Sequence, residues 1–478
     1  MTTYQSVLRH PYLLTTCCDR LKPANSSMAP STTAADLPSV LLVKILEMVP
    51  QSHRLGNSAL VRKSWASAAT AATSKVSLEV NPDTLRMQAG VHSWLRQHSS
   101  ILSSLELRSP SSAALVEDDS LAAGRSITLP LHLQCADYAQ LTSLSLETMD
   151  LTYSTDEPTQ AQQQQGALPQ LAELKLSLCG FSRQEAFLNL ASSARLTALD
   201  LRRLWWAQPS KDQQLQTAPG ADSPPPALTT VLHCCSSLQR LHLQSWSNPR
   251  DKQRQAAFMP HSSLSAISSL LQLEDLTLCN LYARDTSQNH GLPARAITNL
   301  PPSLTRLRVA AHGDVDERFY RPYYVSETLC HLTRLKTLEL IETPFCPHSL
   351  AGLTDLQRLV VSFDEACTTV KCLLVSAHDA ITPFAALLSS IGNLKQLQVL
   401  TLKVHEARTF NVGLPRLPSC AFAALTASSQ LQDLRVKLSN CACAMGEGIM
   451  PGSDVLQHMF APGQHLEQLH SLALGSAY

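Results

Sequence analysis

The motif Leu-x-x-Leu-x-Leu, with an occasional valine at the last position, recurs twelve times between residues 102 and 474. In each copy one residue separates the last two anchors, as a strand that buries a single face requires. One such unit cannot enclose a core, so repeated units bury their leucines by stacking. The pattern therefore predicts a solenoid of parallel strands. The middle anchors are Leu105, Leu144, Leu174, Leu199, Leu241, Leu276, Leu307, Leu338, Leu359, Leu400, Leu434 and Leu472.

The segments between the strands predict helices. Amphipathic patterns occur in residues 183–194, 226–237, 262–271, 324–332, 383–394 and 421–429, and each precedes a strand. Residues 75–80 predict a first, capping strand. The fold class is therefore α/β, with parallel strands on a concave face and helices on a convex face. About one residue in six is leucine and aromatic residues are only 5%, which favours an aliphatic, repetitive core.

This arrangement resembles the leucine-rich-repeat family over residues 75–478. Two features depart from the family. The middle anchors are separated by 21 residues (Leu338 to Leu359) up to 42 residues (Leu199 to Leu241), so the solenoid should be irregular. The asparagine or cysteine that the family places three residues after the last anchor is met by Cys179, whereas Thr343 stands at the same place in a later unit. Polar, breaker-rich insertions at 153–170, 207–226 and 247–260 predict disordered loops.

An apolar stripe near the N-terminus predicts a helix that needs a partner. Pro38 suits the first turn of this helix, because its missing N–H has no intrahelical acceptor, and Pro50 ends it. A second short helix follows from about residue 58. So few residues do not close a core alone. The apolar positions of the two helices are Leu41, Leu42, Ile45, Leu46, Val49, Leu60, Val61 and Trp65.

The pairs Leu37-Pro38 and Val49-Pro50, with the run from Leu60 to Trp65, resemble an F-box. Arg62 replaces the usual cysteine, and Ser39-Val40 replace the acidic residues that commonly follow Leu-Pro. The resemblance implies binding to a Skp1-type adaptor and, through it, to a cullin-RING ligase. A helical hairpin that merely caps the solenoid is the alternative. The implied adaptor-binding residues are Leu37, Pro38, Leu41, Leu42, Ile45, Leu46, Val49, Leu60, Val61 and Trp65.

We therefore divide the chain into a disordered leader (1–35), a small all-α F-box-like module (36–74) and a solenoid with polar loop insertions (75–478). Lys+Arg and Asp+Glu are 38 each, so no global field attracts nucleic acid or an anionic membrane. No run of 18 apolar residues predicts a membrane span. The 14 cysteines include no Cys-x-x-Cys pair, which favours reduced thiols and no zinc site. These features predict a soluble protein of the cytoplasm, the nucleus or both.

Motifs for catalysis are missing from the sequence. It contains no Gly-x-Ser-x-Gly, no phosphate-binding glycine loop and no His-Glu-x-x-His. The 17 histidines are dispersed. We therefore predict a non-catalytic chain without a cofactor or a metal ion.

The predicted strands place several basic residues on adjacent units of the concave face. Because guanidinium groups pair bidentately with carboxylates and phosphates, these residues predict a surface for an acidic or phosphorylated target. A solvated face balanced by Asp275 and Glu339 is the alternative. The candidate target-binding residues are Arg240, His242, Arg306, Arg308 and Arg358.

Together, the two resemblances imply the substrate-recognition subunit of an SCF-type (Skp1-cullin-F-box) E3 ubiquitin ligase. The F-box-like module would bind the Skp1-type adaptor, and the concave face would bind the protein target. The alternative function is a leucine-rich-repeat scaffold outside any ligase, cytoskeletal or axonemal in role.

Overall fold

The protein is described from a computed structural model. Its coordinates divide into two compact units, Met1–Thr73 and Ser74–Tyr478. The described residues are 43, 45–46, 74–79, 95, 99–108, 127–130, 138–152, 168–181, 184–206, 227–245, 255–256, 261–284, 296–297, 299–311, 320–322, 324–325, 327–343, 345–363, 383–405, 419–439, 453–461 and 466–475.

Parallel strands, each paired with its neighbours along the chain, form the main sheet of the second unit. Among the described residues the sheet path contains thirteen of them, which confirms the predicted stack and its capping strand. They are β1 (Lys75–Glu79), β2 (Ser104–Arg108), β3 (Ser143–Thr152), β4 (Glu173–Phe181), β5 (Ala198–Arg202), β6 (Arg240–Gln244), β7 (Asp275–Cys279), β8 (Arg306–Ala310), β9 (Thr337–Ile341), β10 (Arg358–Phe363), β11 (Val399–His405), β12 (Asp433–Ser439) and β13 (Ser471–Gly475).

The register of the sheet aligns the predicted anchors. Leu276 of β7 pairs with Leu241 on one side and with Leu307 on the other, and the same column continues from Leu105 of β2 to Leu472 of β13. In β2 to β12 these middle anchors are at most 1% exposed, whereas Leu472 on the last strand is 49% exposed. Each anchor is buried because a neighbouring unit covers it, and β13 has no described strand beyond it.

Helices form the second layer, with the apolar core between them and the sheet. The α-helices are α1 (Gln184–Ala191), α2 (Ala227–Cys234), α3 (His261–Ile267), α4 (Pro383–Gly392) and α5 (Ser453–Met459), and the 3₁₀ helices are Ser99–Ile101, Glu327–His331, Pro347–Gly352 and Ser419–Thr426. Four of the six predicted helices are therefore α-helical as expected. Over one or two turns, an amphipathic pattern does not distinguish α from 3₁₀ geometry.

Two corrections concern these helices. The segments at 324–332 and 421–429 contain 3₁₀ helices, and the first also contains a short strand, Tyr324–Val325. The 3₁₀ helix Pro347–Gly352 was not predicted, and it lies in the shortest unit of the chain. A 3₁₀ helix rises about 2.0 Å per residue against 1.5 Å for an α-helix, so it spans the layer with fewer residues. The helix α5 was also missed.

A left-handed turn recurs two residues after the last anchor of five units. The residues with positive φ there are Thr148, Leu178, Arg203, Asn280 and Glu342, with φ between 51° and 59°. In three of these units the turn directs a backbone N–H to a carbonyl of the next strand: Arg203 to Gln244, Asn280 to Ala310 and Glu342 to Ser362. The turn therefore connects adjacent units, and it costs backbone strain at four of the five residues, Asn280 being the one that tolerates this conformation.

One residue after the turn, a buried side chain contacts a backbone carbonyl of the preceding strand in two of the units. The Cys179 thiol donates to the carbonyl of Leu146 on β3, at 3.4 Å. The Thr343 hydroxyl, at the equivalent place, lies 3.2 Å from the carbonyl of Val309 on β8. Threonine can thus provide at this position the donor that cysteine provides in the earlier unit, although the closer acceptor of its hydroxyl, at 2.9 Å, is the carbonyl of Ile341 in its own unit.

The predicted disordered loops lie mostly outside the described residues. One part is a correction, because Gln255–Ala256 forms a short strand that pairs antiparallel with Trp205–Trp206. Cross-strand pairing of this kind supplies backbone partners to an insertion that composition alone assigns to a loop. In the first unit only Val43, Ile45 and Leu46 are described, and all three are helical. None of the described helices is both long and apolar enough to cross a membrane.

Candidate functional surface

The face of the sheet turned away from the helices, here called the open face, carries the candidate target-binding residues. In each unit three positions lie on it: the residue before the middle anchor (first row), the residue between the last two anchors (second row) and the residue after the last anchor (third row). Burial alternates accordingly along β6, and in β7 and β8 it does so for the first two rows, whereas the third-row residues Cys279 and Ala310 are buried. Strands in a sheet lie about 4.8 Å apart, so each row is a laterally continuous line of side chains.

The rows follow directly from the strand register. The first row contains Lys75, Ser104, Ser143, Glu173, Ala198, Arg240, Asp275, Arg306, Thr337, Arg358, Val399, Asp433 and Ser471. The second row contains Ser77, Glu106, Ser145, Lys175, Asp200, His242, Thr277, Arg308, Glu339, Val360, Thr401, Arg435 and Ala473.

A groove of about 470 Å³ lies on the open face between β2 and β7. Small side chains at four row positions form its floor: Ser104, Ser143, Ser145 and Ala198. Longer neighbours, including Glu173 and Arg240, line its sides. The groove exists because small residues adjoin long ones on adjacent strands.

Several charges near the groove are paired with one another. Arg240 contacts Glu173 at 2.7 Å, reaching across Ala198 of the strand between them. Arg202 makes two hydrogen bonds to Asp200, both of 2.8 Å. Over β1 to β7 the three rows hold six carboxylates and five Lys or Arg side chains. We call this part of the open face the balanced end.

His242 lies in the middle of this network. Its Nδ1 atom is 3.4 Å from Asp200 and 3.3 Å from Arg202 Nη2, while its Nε2 atom is buried without a hydrogen-bond partner. Burial lowers the pKa of His242, and the guanidinium groups of Arg202 and Arg308 lower it further. The carboxylate of Asp200 acts in the opposite direction and raises it, but the net shift is downward. A neutral His242 can accept a hydrogen bond from Arg202, so it contributes little positive charge to the predicted basic surface.

Hydrogen bonds also fix the carboxylate of Glu106 at the edge of the groove. Arg108 donates to it at 2.5 Å and 2.9 Å, and Ser77 donates at 2.9 Å. Although burial acts to raise the pKa of Glu106, these hydrogen bonds lower it below its usual value. The carboxylate is therefore ionised at neutral pH and already occupied by partners of this chain.

Three of the predicted arginines surround carboxylates farther along the sheet. Arg308 lies 3.7 Å from Glu339, Arg358 lies 3.5 Å from the same carboxylate, and Arg306 lies 3.9 Å from Asp275. Asp275 and Glu339, the two acids of the alternative in which the face is solvated and charge-balanced, are thus the acids that these arginines contact. Glu339 is nevertheless shared by two arginines, which leaves one positive charge uncompensated.

A further basic group, which the sequence reasoning missed, lies on β11 and β12. Lys403 and Lys437 are register partners in the third row, both are exposed, and neither has an ion pair among the described residues. Arg435 contacts Asp433 of its own strand at 2.8 Å. The signal was present in the pattern, because all three lie at row positions of their units. With β8 to β10, these strands hold six Lys or Arg side chains and two carboxylates, Glu339 and Asp433; we call this part the cationic end.

The predicted sites thus fall into two groups. All five candidate target-binding residues lie on the open face, but Arg240 and His242 belong to the balanced end and Arg306, Arg308 and Arg358 to the cationic end. Of the predicted adaptor-binding residues, Ile45 is 42% exposed and Leu46 is 1% exposed. The remaining adaptor-binding residues, among them Leu37, Pro38 and Trp65, lie outside the described part of the chain.

The described cysteines are free thiols. Cys235 follows α2, is buried, and donates to the carbonyl of Ala191 at 3.4 Å. Burial, with the neighbouring Cys234, raises the pKa of Cys235 to about 12, so it is an unreactive packing residue. Within the described ranges, no three His, Cys, Asp or Glu side chains are grouped as metal ligands.

Comparisons with known proteins give the following. No protein-family model matches the chain, and no curated protein is similar to it. Among solved structures, an internalin (InlF) from Listeria monocytogenes is 14% identical, with a TM-score of 0.40 over 83% of this chain and 95% of that chain. TLR13, solved as a complex with ssRNA13, is 16% identical, with a TM-score of 0.35 over 72% of this chain and 46% of that chain. The repeat assignment therefore rests on the register and burial described above, not on these likenesses.

Proposed function

We propose that the chain is a non-catalytic receptor that binds a protein partner on the open face of its solenoid. The observation that carries this proposal is the charge pattern of the open face, which changes from unit to unit while the buried anchors stay aliphatic. A surface that only had to be soluble would not need a separate cationic end. Rows of side chains on a rigid sheet are suited to partner recognition, because their positions are fixed before binding.

We further propose that residues 36–74 connect this receptor to a Skp1-type adaptor, and through it to a cullin-RING ligase, as the F-box resemblance implies. Two observations support the proposal: the helical state of Val43, Ile45 and Leu46 agrees with the predicted helix, and Ile45 is exposed. The ligase chemistry would then reside in the partner subunits. The protein would act in the cytoplasm or the nucleus, where such ligases work.

The test is co-purification of the full chain with a recombinant Skp1-type adaptor. Replacing Leu37 and Pro38 together with alanine removes an apolar pair from the proposed interface. Such a loss costs about 2 to 4 kcal/mol, which lowers affinity by more than tenfold. Adaptor recovery should be lost in this variant, while the circular dichroism spectrum stays unchanged. Recovery of adaptor in equal amount from both proteins, or none from the wild type, would reject the adaptor role.

A scaffold outside any ligase is the second candidate, and one observation favours it. Leu46, which the F-box resemblance assigns to the adaptor interface, is 1% exposed and is therefore already packed within this chain. In the scaffold function the N-terminal helices would only support the solenoid, and the open face would still bind a protein. The adaptor experiment separates the two candidates, because only the receptor of a ligase needs an adaptor.

A further inference from the structure

The cationic end differs from the balanced end in its excess of positive charge, with six Lys or Arg side chains against two carboxylates. At the balanced end Arg108, Arg202 and Arg240 each contact a carboxylate within 2.8 Å. At the cationic end Arg435 is paired equally closely, at 2.8 Å to Asp433, but the contacts of Arg308 and Arg358 with Glu339 are looser, at 3.7 Å and 3.5 Å. Lys403 and Lys437 have no carboxylate partner among the described residues. An external anion can therefore reach Lys403 and Lys437, and the loosely paired Arg308 and Arg358, without first displacing a close ion pair.

The layout of the cationic end suits an extended segment. Arg308 and Arg358 lie on one side, on β8 and β10, and Lys403, Arg435 and Lys437 lie on the other, on β11 and β12. The other row positions of β10 and β11 are uncharged: Val360, Ser362, Val399 and Thr401. Five strands about 4.8 Å apart span roughly 20 Å, which an extended chain of about six residues crosses.

We infer that the cationic end binds an acidic protein segment, a stretch of chain with several aspartate or glutamate side chains. The inference rests on the proposed function, since it names the kind of partner that the open face takes. Carboxylates on the segment would contact Arg358 and Arg308 at one side, and Lys403 and Lys437 at the other. Its uncharged residues would lie over Val360 and Thr401.

A nucleic acid is the alternative polyanion that six cations could bind, and two observations disfavour nucleic-acid binding at the cationic end. The carboxylates of Glu339 and Asp433 lie within the cationic end, where they would repel a continuous phosphate backbone. The chain as a whole has 38 basic and 38 acidic residues, so no long-range field attracts a polyphosphate. A segment with separated carboxylates can place its charges against the cations and avoid the two acids.

The test uses the purified full chain and fluorescence anisotropy with two labelled peptides of about eight residues, long enough to cross the five strands. In one peptide glutamate alternates with serine, and in the other glutamine takes the place of each glutamate. The wild type should bind the glutamate peptide about tenfold more tightly than the glutamine peptide at low salt, as several exposed charge contacts together provide. The combined variant Lys403→Gln, Arg435→Gln and Lys437→Gln should lose this preference.

The matched control removes three cations from the balanced end: Arg108→Gln, Lys175→Gln and Arg240→Gln. All six positions are at the surface, so thermal unfolding should stay cooperative in both variants, and each is checked by circular dichroism. The control should keep the peptide preference. An equal loss in both variants, or no preference in the wild type, would overturn the inference.

Two further outcomes separate this inference from its alternatives. If a single-stranded DNA oligonucleotide binds more tightly than the glutamate peptide, and the β11–β12 variant abolishes that binding, the ligand is a nucleic acid and the inference is wrong. If the chain captures a protein partner in cells but shows no preference for the glutamate peptide, this inference fails while the proposed function stands. A clear peptide preference without any captured protein would instead reject the proposed function.

Discussion

The two faces of the same strands follow opposite rules. On the inward face the middle anchors of β2 to β12 are leucine throughout and are buried to 1% exposure or less. On the open face the neighbouring positions change from Ser145 to Lys175 to Asp200 on three successive strands. Aliphatic packing fixes the stack of units, whereas the open face is free to vary, because its side chains do not determine the register. The inward face is thus the part that specifies the fold, and the open face is the part that can specify a partner.

The largest expected difference between the faces is in stability. Leu276→Ala on the inward face should lower the free energy of unfolding by about 2 to 5 kcal/mol, because it leaves a cavity between β6 and β8. Thr277→Ala, the next residue on the open face, should change it by less than about 0.5 kcal/mol. Denaturant unfolding measures both. Similar losses from the two variants would remove the distinction between the faces.

The damage from Leu276→Ala should also be local. Each unit contacts mainly its neighbours, so hydrogen exchange should increase around residues 240–310 and change little near Leu472. Loss of protection along the whole solenoid would instead indicate one cooperative core.

The second prediction concerns close packing between helices of the helical layer. A Cβ atom on Gly352 would lie 2.8 Å from Cys330 Cβ and 2.9 Å from its backbone, so Gly352→Ala should destabilise the protein by about 1 to 3 kcal/mol. Gly392 at the end of α4 is the matched control, since a Cβ there meets Ala424 Cβ at 3.3 Å. Thermal unfolding compares the two variants. A larger loss of stability from Gly392→Ala than from Gly352→Ala would contradict the claim that Gly352 packs more tightly against Cys330 than Gly392 packs against Ala424.

The third prediction concerns the turn that joins the faces. Leu178 adopts φ 53°, a conformation that costs a leucine about 1 to 2 kcal/mol and that asparagine tolerates. Leu178→Asn should therefore raise the free energy of unfolding by about 0.5 to 1 kcal/mol. Asn280→Leu, at the equivalent turn, should lower it by about 1 kcal/mol or more. The comparison fails if both substitutions shift the unfolding midpoint in the same direction.

The smallest expected effect is a pH dependence at the balanced end. The pKa of His242 is lower in the folded protein than in the unfolded chain, so between these two pKa values the unfolded chain binds more protons than the folded protein. The stability that a neutral His242 retains is fully present above the unfolded pKa of about 6.5, and it decreases as pH falls toward the lower folded value. His242→Gln should flatten the stability profile between about pH 7.5 and pH 5.5. An unchanged slope in that window would mean that another group titrates there.

These faces also explain what the sequence could and could not predict. The anchors were predicted because the spacing of Leu-x-x-Leu-x-Leu fits a strand that buries one face. In the structure all twelve middle leucines lie in one register column. The charges of the open face were harder to interpret, because their effect depends on neighbours from other strands. Arg240 looks basic in sequence, yet its partner Glu173 is 67 positions away in the chain.

Local ambiguity accounts for the remaining misses. The amphipathic pattern of residues 421–429 fits both α and 3₁₀ geometry, so only the packed layer decides between them. The predicted basic surface ends at Arg358 and therefore does not include Lys403 and Lys437. Row positions, once assigned, identify them directly. The adaptor-binding residues remain a prediction from resemblance, since all but Ile45 and Leu46 lie outside the described part of the chain.

The central claim is that the open face, and its cationic end in particular, selects the partner. The most direct test is co-purification of the full chain from cells that express it, with partners quantified by mass spectrometry. Three proteins are compared: the wild type, the variant Lys403→Glu, Arg435→Glu and Lys437→Glu, and the variant Arg108→Glu, Lys175→Glu and Arg240→Glu. The account predicts that the first variant loses the captured partner while keeping wild-type hydrogen exchange in the strands, and that the second retains it. An identical partner set from all three proteins would contradict the claim.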